Sequence, residues 1–164
     1  MLSNFLKVEQ FCSTFLFIEI AKTQLNSVTS SKYLDMKQFQ TDTFKLIIHD
    51  NHLKEFIVRQ NQTLEAKDVW ESKELSKSYL PNTKFYVLME GEENASVSNE
   101  ARRAAASDEY SKYTEALALC SNSSYMAIVG NLFLKINKPK VPTRFFEERN
   151  SALAWLNELM ATKK

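Results

Sequence analysis

The chain has 164 residues, 44% of them hydrophobic and 25% charged, a balance that fits one soluble globular domain and excludes a disordered tail. A domain of about 150 residues buries roughly 68–70% of its unfolded surface, so a core needs no disulfide or metal, and two cysteines, Cys12 and Cys120, cannot form a framework. With 21 Lys and Arg against 20 Asp and Glu, the net charge of +1 gives no global attraction to nucleic acid or to an anionic membrane.

Residues 11–20, FCSTFLFIEI, are apolar enough to raise a signal peptide or a membrane span. The run falls short of the roughly 18 to 20 residues a span needs. Glu19 interrupts it, no Ala-x-Ala-like cleavage site follows, and Glu9 as well as Lys7 precedes it. Phe5, Val8, Cys12 and Phe15 recur at helical spacing while Phe15, Phe17 and Ile20 are good strand formers, so periodicity leaves helix and strand open. Residues 26–31, NSVTSS, read as linker. The expected organisation is an N-terminal extension over residues 1–35 and one domain over 36–164, with Met36 as the natural start.

From Met36 the punctuation is regular. Phe44, Leu46 and Ile48 alternate with Lys45, Ile47 and His49, the period-two pattern of a strand with one face buried. Asp50 and Asn51 suit a tight turn, and residues 53–58 resume the apolar character, which predicts a hairpin. Thr63 is placed to cap a helix over residues 64–79 with Ala66, Val69, Trp70 and Leu75 on its apolar stripe, stopped by Leu80, Pro81 and Asn82. Residues 85–89, FYVLM, and 116–119, ALAL, are apolar without alternation and predict central strands covered on both faces. Between them come a loop over 91–95 and a helix over about 97–112, whose Ala101, Ala104 and Ala105 permit close packing. A third helix over 123–136 ends at Asn137, Lys138 and Pro139; an edge strand follows over 143–146, and Asn150 or Ser151 caps a last helix carrying Ala152, Trp155, Leu156 and Leu159.

Helix and strand alternate after the hairpin, which implies parallel strands joined by right-handed crossovers. The only glycines are Gly91 and Gly130, so the chain has neither a GxGxxG nor a P-loop phosphate cradle.

Residues 101–156 resemble a family of small bacterial STAS-like proteins related to the sporulation anti-sigma-factor antagonists. The residues that carry the likeness are the Ala-rich helix, Tyr113 and Thr114 before the next strand, the segment GNLFLKINKP from Gly130, then Pro142 and Thr143, and the terminal Ala-Leu-x-Trp-Leu. The resemblance covers about residues 40–160 and nothing in 1–35. It implies a mixed sheet with an N-terminal β-hairpin, parallel strands and about four helices, and a switch or binding module in place of an enzyme. In characterised relatives a serine at the start of the helix after the third strand is phosphorylated by a partner kinase. Here the loop runs from Glu92 to Glu100 without an Asp-Ser-Ser-Gly-like signature, so Ser96 and Ser98 are assigned by position alone.

Each candidate has a structural and a functional reading. Ser98, with Ser96 before it, is a helix cap or a phosphoacceptor, for a phosphate at a helix N-terminus gains from the dipole and free N–H groups. Lys135, Lys138, Lys140 and Arg144 form a basic segment with no acid inside it, a solvated connection or a set of anion contacts. It lacks interleaved aromatic residues and makes a poor nucleic-acid signal. The third helix is apolar around most of its circumference, more than the ~100° one sheet face requires. Tyr125, Ile128, Leu132 and Leu134 are therefore covered by a neighbouring helix, a second subunit, a regulated partner or a lipid-like ligand. His49 and His52 flank a turn with no metal-ligand set around them, and Cys120 reads as a buried small hydrophobe.

The expected protein is a cytoplasmic STAS-like α/β module without metal or cofactor that binds another protein. A carrier or sensor of a small apolar or amphipathic ligand is the alternative, with an enzyme third. A closed pocket of a few hundred Å³ beneath the third helix would favour a ligand, and an exposed apolar face a protein partner or a homo-oligomer.

Overall fold

The computed structural model describes residues 36–162 and the backbone, but not the side chains, of Ser124 and Tyr125. The chain divides into Met1–Asp35 and Met36–Lys164. The helix-or-strand alternative over residues 1–35 lies outside the described residues, as does the side chain of Tyr125.

Strands β1 (Met36–Gln40), β2 (Phe44–His49) and β3 (Leu53–Val58) form an antiparallel meander. Three parallel strands continue the sheet, β5 (Phe85–Gly91), β7 (Thr114–Cys120) and β8 (Thr143–Phe146), giving the order β1-β2-β3-β5-β7-β8. The intervening helices are α1 (Ala66–Tyr79), α2 (Asn99–Ala105), α3 (Asp108–Ser111) and α4 (Ser124–Leu132), with α5 (Arg149–Thr162) last. An N-terminal hairpin, parallel strands and packed helices are the architecture the STAS-like resemblance implied.

Two cores lie on opposite faces of the sheet. Phe44, Leu46, Phe56, Val58, Phe85, Val87 and Leu117 meet Val69 of α1, Ala101 and Ala104 of α2, Tyr110 of α3 and Phe133 after α4. Leu88, Ala116, Ala118 and Cys120 meet Ala152 and Leu156 of α5. Successive residues of β5 and β7 thus enter different cores, which is why those strands are apolar without alternation.

Several local expectations are corrected. The predicted hairpin forms as β2 and β3, and β1 extends it to a three-stranded meander by pairing with Lys45–His49 of β2. Thr63 does not cap α1. Thr63–Leu64 form strand β4 beside β6 (Ser96–Val97), and α1 begins after Glu65, whose N–H donates to Asp68 Oδ2 at 2.8 Å. The helix expected over 97–112 breaks in two, since Ser107 starts α3 by accepting the Tyr110 N–H at 3.2 Å. The helix expected to end at Ile136 is α-helical only to Leu132. A π turn over Phe133–Asn137 follows, closed by Lys138 in the left-handed region at φ 46°.

Candidate interaction surface

Helix α4 turns Val129 and Gly130 onto the sheet, with Phe133 of the π turn beside them, all three buried. Gly130 permits the close approach, for a Cβ there would lie 2.7 Å from Phe145 Cδ2 of β8. On the opposite side Ile128, Leu132 and Ile136 remain 61%, 43% and 70% exposed. They recur every four residues. An α-helix drifts about 40° over that step, but the π turn advances fewer degrees per residue and brings Ile136 back toward the line of the other two.

Of the residues named for this surface, Ile128 and Leu132 lie on it and Leu134 does not. Leu134 is half-buried against the first core. It stands two residues beyond Leu132, about 200° round an α-helix. That spacing was the signal that should have turned it inward, and the four-residue step to Ile136 the one that should have added the missing member.

Beneath α4 an apolar cavity of about 70 Å³ lies between it, α2 and the ends of β5 and β7, lined by Met89, Leu119, Ala105, Met126 and Phe133. Arg102 also faces it, with its guanidinium bonded to the Val97 carbonyl at 3.0 Å and to Asn99 Oδ1.

The serines are occupied locally. Ser98 Oγ accepts the Ala101 N–H at 3.1 Å and caps α2. Ser96 Oγ lies 2.7 Å from Thr63 Oγ1, tying the two short strands together. Neighbouring charges are engaged as well, Arg103 with Glu100 and Glu92 with the Gln60 N–H.

The basic segment does not converge. Lys140 Nζ lies 3.7 Å from Asp108, and Arg144 stacks over Phe146 and Trp155 on the other side of the sheet. Lys135 and Lys138 are exposed and have no ion pair among the described residues.

The opposite face holds a charged cluster that sequence reasoning missed. Arg149, at the start of α5, bonds both Glu55 and Glu90, and His49 Nε2 lies 2.8 Å from Glu55 Oε1. Burial pushes the Glu55 carboxyl up, but the hydrogen bonds from Arg149 and His49 and their charges outweigh it and hold the carboxyl below its ordinary value. Its signal was a pair of charged residues, Lys54 and Glu55, within a strand whose other four residues are apolar. Lys54, next to Glu55, is buried in the first core with Nζ 3.4 Å from the Tyr110 hydroxyl and 5.5 Å from the Phe85 and Tyr110 ring centres. Burial also raises the Cys120 thiol pKa.

Among the described residues no three or more His, Cys, Asp or Glu gather as metal ligands, and no helix is long and apolar enough to cross a membrane. A family model described as a domain of unknown function (DUF7793) matches residues 46–160. The chain is similar to an uncharacterised protein of the DUF3478 family with a SpoIIAA-like fold from Shewanella loihica PV-4, known from a crystal structure. The two are 15% identical, the match covers 74% of this chain and 91% of that one, and the TM-score is 0.44. No curated protein matches.

Proposed function

We propose that this chain, which belongs to the family described as a domain of unknown function (DUF7793), is a non-enzymatic regulatory module that binds another protein through the outer row of α4. One observation carries the reading: Ile128, Leu132 and Ile136 stand together in water on one helix face. Fully burying a side chain of this kind is worth about 1.5–3 kcal/mol, so covering three that are already partly buried yields several kcal/mol at most. A micromolar complex needs about 8 kcal/mol after the costs of association. The contact is therefore a transient one completed by polar neighbours, as suits a switch.

Three side chains with catalytic chemistry are engaged or buried. His49 is held by Glu55, the Ser98 hydroxyl caps α2, and Cys120 is a free, buried thiol. An unpaired buried thiol also fits the cytoplasmic location that forms part of this reading.

The apolar cavity favours the second reading, a carrier of a small apolar or amphipathic molecule. At about 70 Å³ it is well below the roughly 300–1,000 Å³ of ligand sites, and that reading ranks behind.

The test places a photo-crosslinking residue at exposed Asn131, beside the row, in the full chain within its source cells, with a control probe at exposed Glu71 on α1. A protein adduct specific to position 131 and lost on Leu132→Lys is the expected result. Adducts that are lipid alone, or equal at both positions, would refute the reading.

A further inference from the structure

We infer that the partner presents an amphipathic segment whose apolar residues are bordered by carboxylates; this rests on the protein-binding reading and names the chemistry of what binds.

The inference comes from charge beside the apolar row. Residues 121–146 contain no Asp or Glu and carry Lys135, Lys138, Lys140 and Arg144. The structure divides these cations. Lys140 faces Asp108 and Arg144 lies over two rings across the sheet, whereas Lys135 and Lys138 stay exposed and without an ion pair among the described residues. Asn131 and Lys135, four residues apart and both exposed, form a polar row next to Ile128, Leu132 and Ile136. An apolar row with a cationic border is complementary to an apolar row with an anionic one, and such complementarity sets the orientation and speed of docking.

Two other occupants fit less well. A second copy in an isologous contact would bring the same acid-free, basic strip against itself. An anionic membrane is held by clusters of 4–8 cations, and among the described residues this strip offers two outside those ion-pair and ring contacts, Lys135 and Lys138. The inward side of α4, with Val129 and Gly130, is already committed to the sheet, so little apolar surface is left to enter a bilayer.

The crosslink at Asn131 decides among them when the attached peptide is sequenced. The expected peptide has apolar residues three and four apart and an excess of Asp and Glu. A synthetic peptide of that sequence, titrated into the full chain by fluorescence anisotropy, should bind at least tenfold more weakly to the Lys135→Glu, Lys138→Glu double variant. Its binding to the native chain should also fall at least fivefold between 50 mM and 500 mM salt. A protein adduct whose peptide is neutral or basic, or whose binding ignores both changes, would overturn the acidic-partner inference and leave protein binding standing. Crosslinking to a second copy of this chain would likewise remove the acidic partner while keeping the surface as an interface. Lipid adducts alone, or none, would remove both.

Discussion

Helices α1 and α4 pack on the same face of the sheet, yet their sequences relate to burial in opposite ways. Helix α1 buries Asp68, Ser72 and Ser76, while α4 and its π turn leave two isoleucines and a leucine in water. The buried polar groups of α1 need nothing from outside. Ser72 Oγ donates to the Val69 carbonyl at 2.8 Å, Ser76 Oγ to the Ser72 carbonyl at 2.6 Å, and Asp68 accepts the Glu65 N–H. Short hydroxyls can be satisfied by their own helix and then occupy little room. An exposed aliphatic side chain has no such local remedy, since only another surface removes it from water. Buried polarity in α1 is therefore a packing solution, and exposed apolarity in α4 is an unmet demand.

The sharpest way to break this contrast is to place one charge on either side of the same helical segment. Phe133→Lys puts a cation among the buried residues of the first core and should cost at least about 4 kcal/mol, unfolding the domain. Leu132→Lys, one residue away, should change stability by no more than about 0.5 kcal/mol in urea denaturation. Similar losses from both would make Leu132 part of the core.

Gly130→Ala tests how closely α4 must sit. The methyl meets Phe145, and overpacking of this kind costs about 1–3 kcal/mol, offset by the ~1 kcal/mol that alanine gains over glycine within a helix. A net loss of about 1 kcal/mol is expected, recovered when Phe145→Leu is added. On α1, Asp68→Ala should cost about 1 kcal/mol through the lost cap. Ser72→Ala with Ser76→Ala should stay within about 0.5 kcal/mol, because both carbonyls keep their helical partners. A large loss from the serine pair would show that their hydroxyls do more than satisfy themselves.

The other face supplies a test by pH. The Glu55 carboxyl is held below its ordinary 4.5 in the folded state. Its contribution is thus fully present above that value and is lost as pH falls through the lower, folded one. Stability measured from pH 6 to pH 3 should fall less steeply below 4.5 in Glu55→Gln than in the native chain. Parallel curves would mean that the Arg149 bridge does not perturb the carboxyl.

What the sequence disclosed follows the strength of each physical signal. Strands β2, β5 and β7 were legible because burial on one face or both leaves alternation or an unbroken apolar run. Strand β1 was not, since four of its five residues are exposed at the sheet edge and nothing selects a period. Thr63 resembles a helix cap locally, but its pairing with Ser96 depends on a segment 33 residues away. Glu55 marks one end of its contact with Arg149, but the partner lies 94 residues away and nothing near Glu55 points to it. In the candidate surface, excess apolar character marked Ile128 and Leu132 and the four-residue step pointed to Ile136, but the π turn that brings Ile136 toward their line has no sequence pattern to announce it.

The central claim is that the outer row of α4 is uncovered in the isolated chain. Thiol-labelling rates test this directly, in full-length chains with Cys12→Ser and Cys120→Ala, each carrying one new cysteine from Ile128→Cys, Leu132→Cys, Ile136→Cys or Val129→Cys. The account predicts that the three outer positions label within about tenfold of an unfolded chain while position 129 is protected by two orders of magnitude or more. Equal protection at all four positions would show the row covered within the molecule or by its own copies, and would contradict the account.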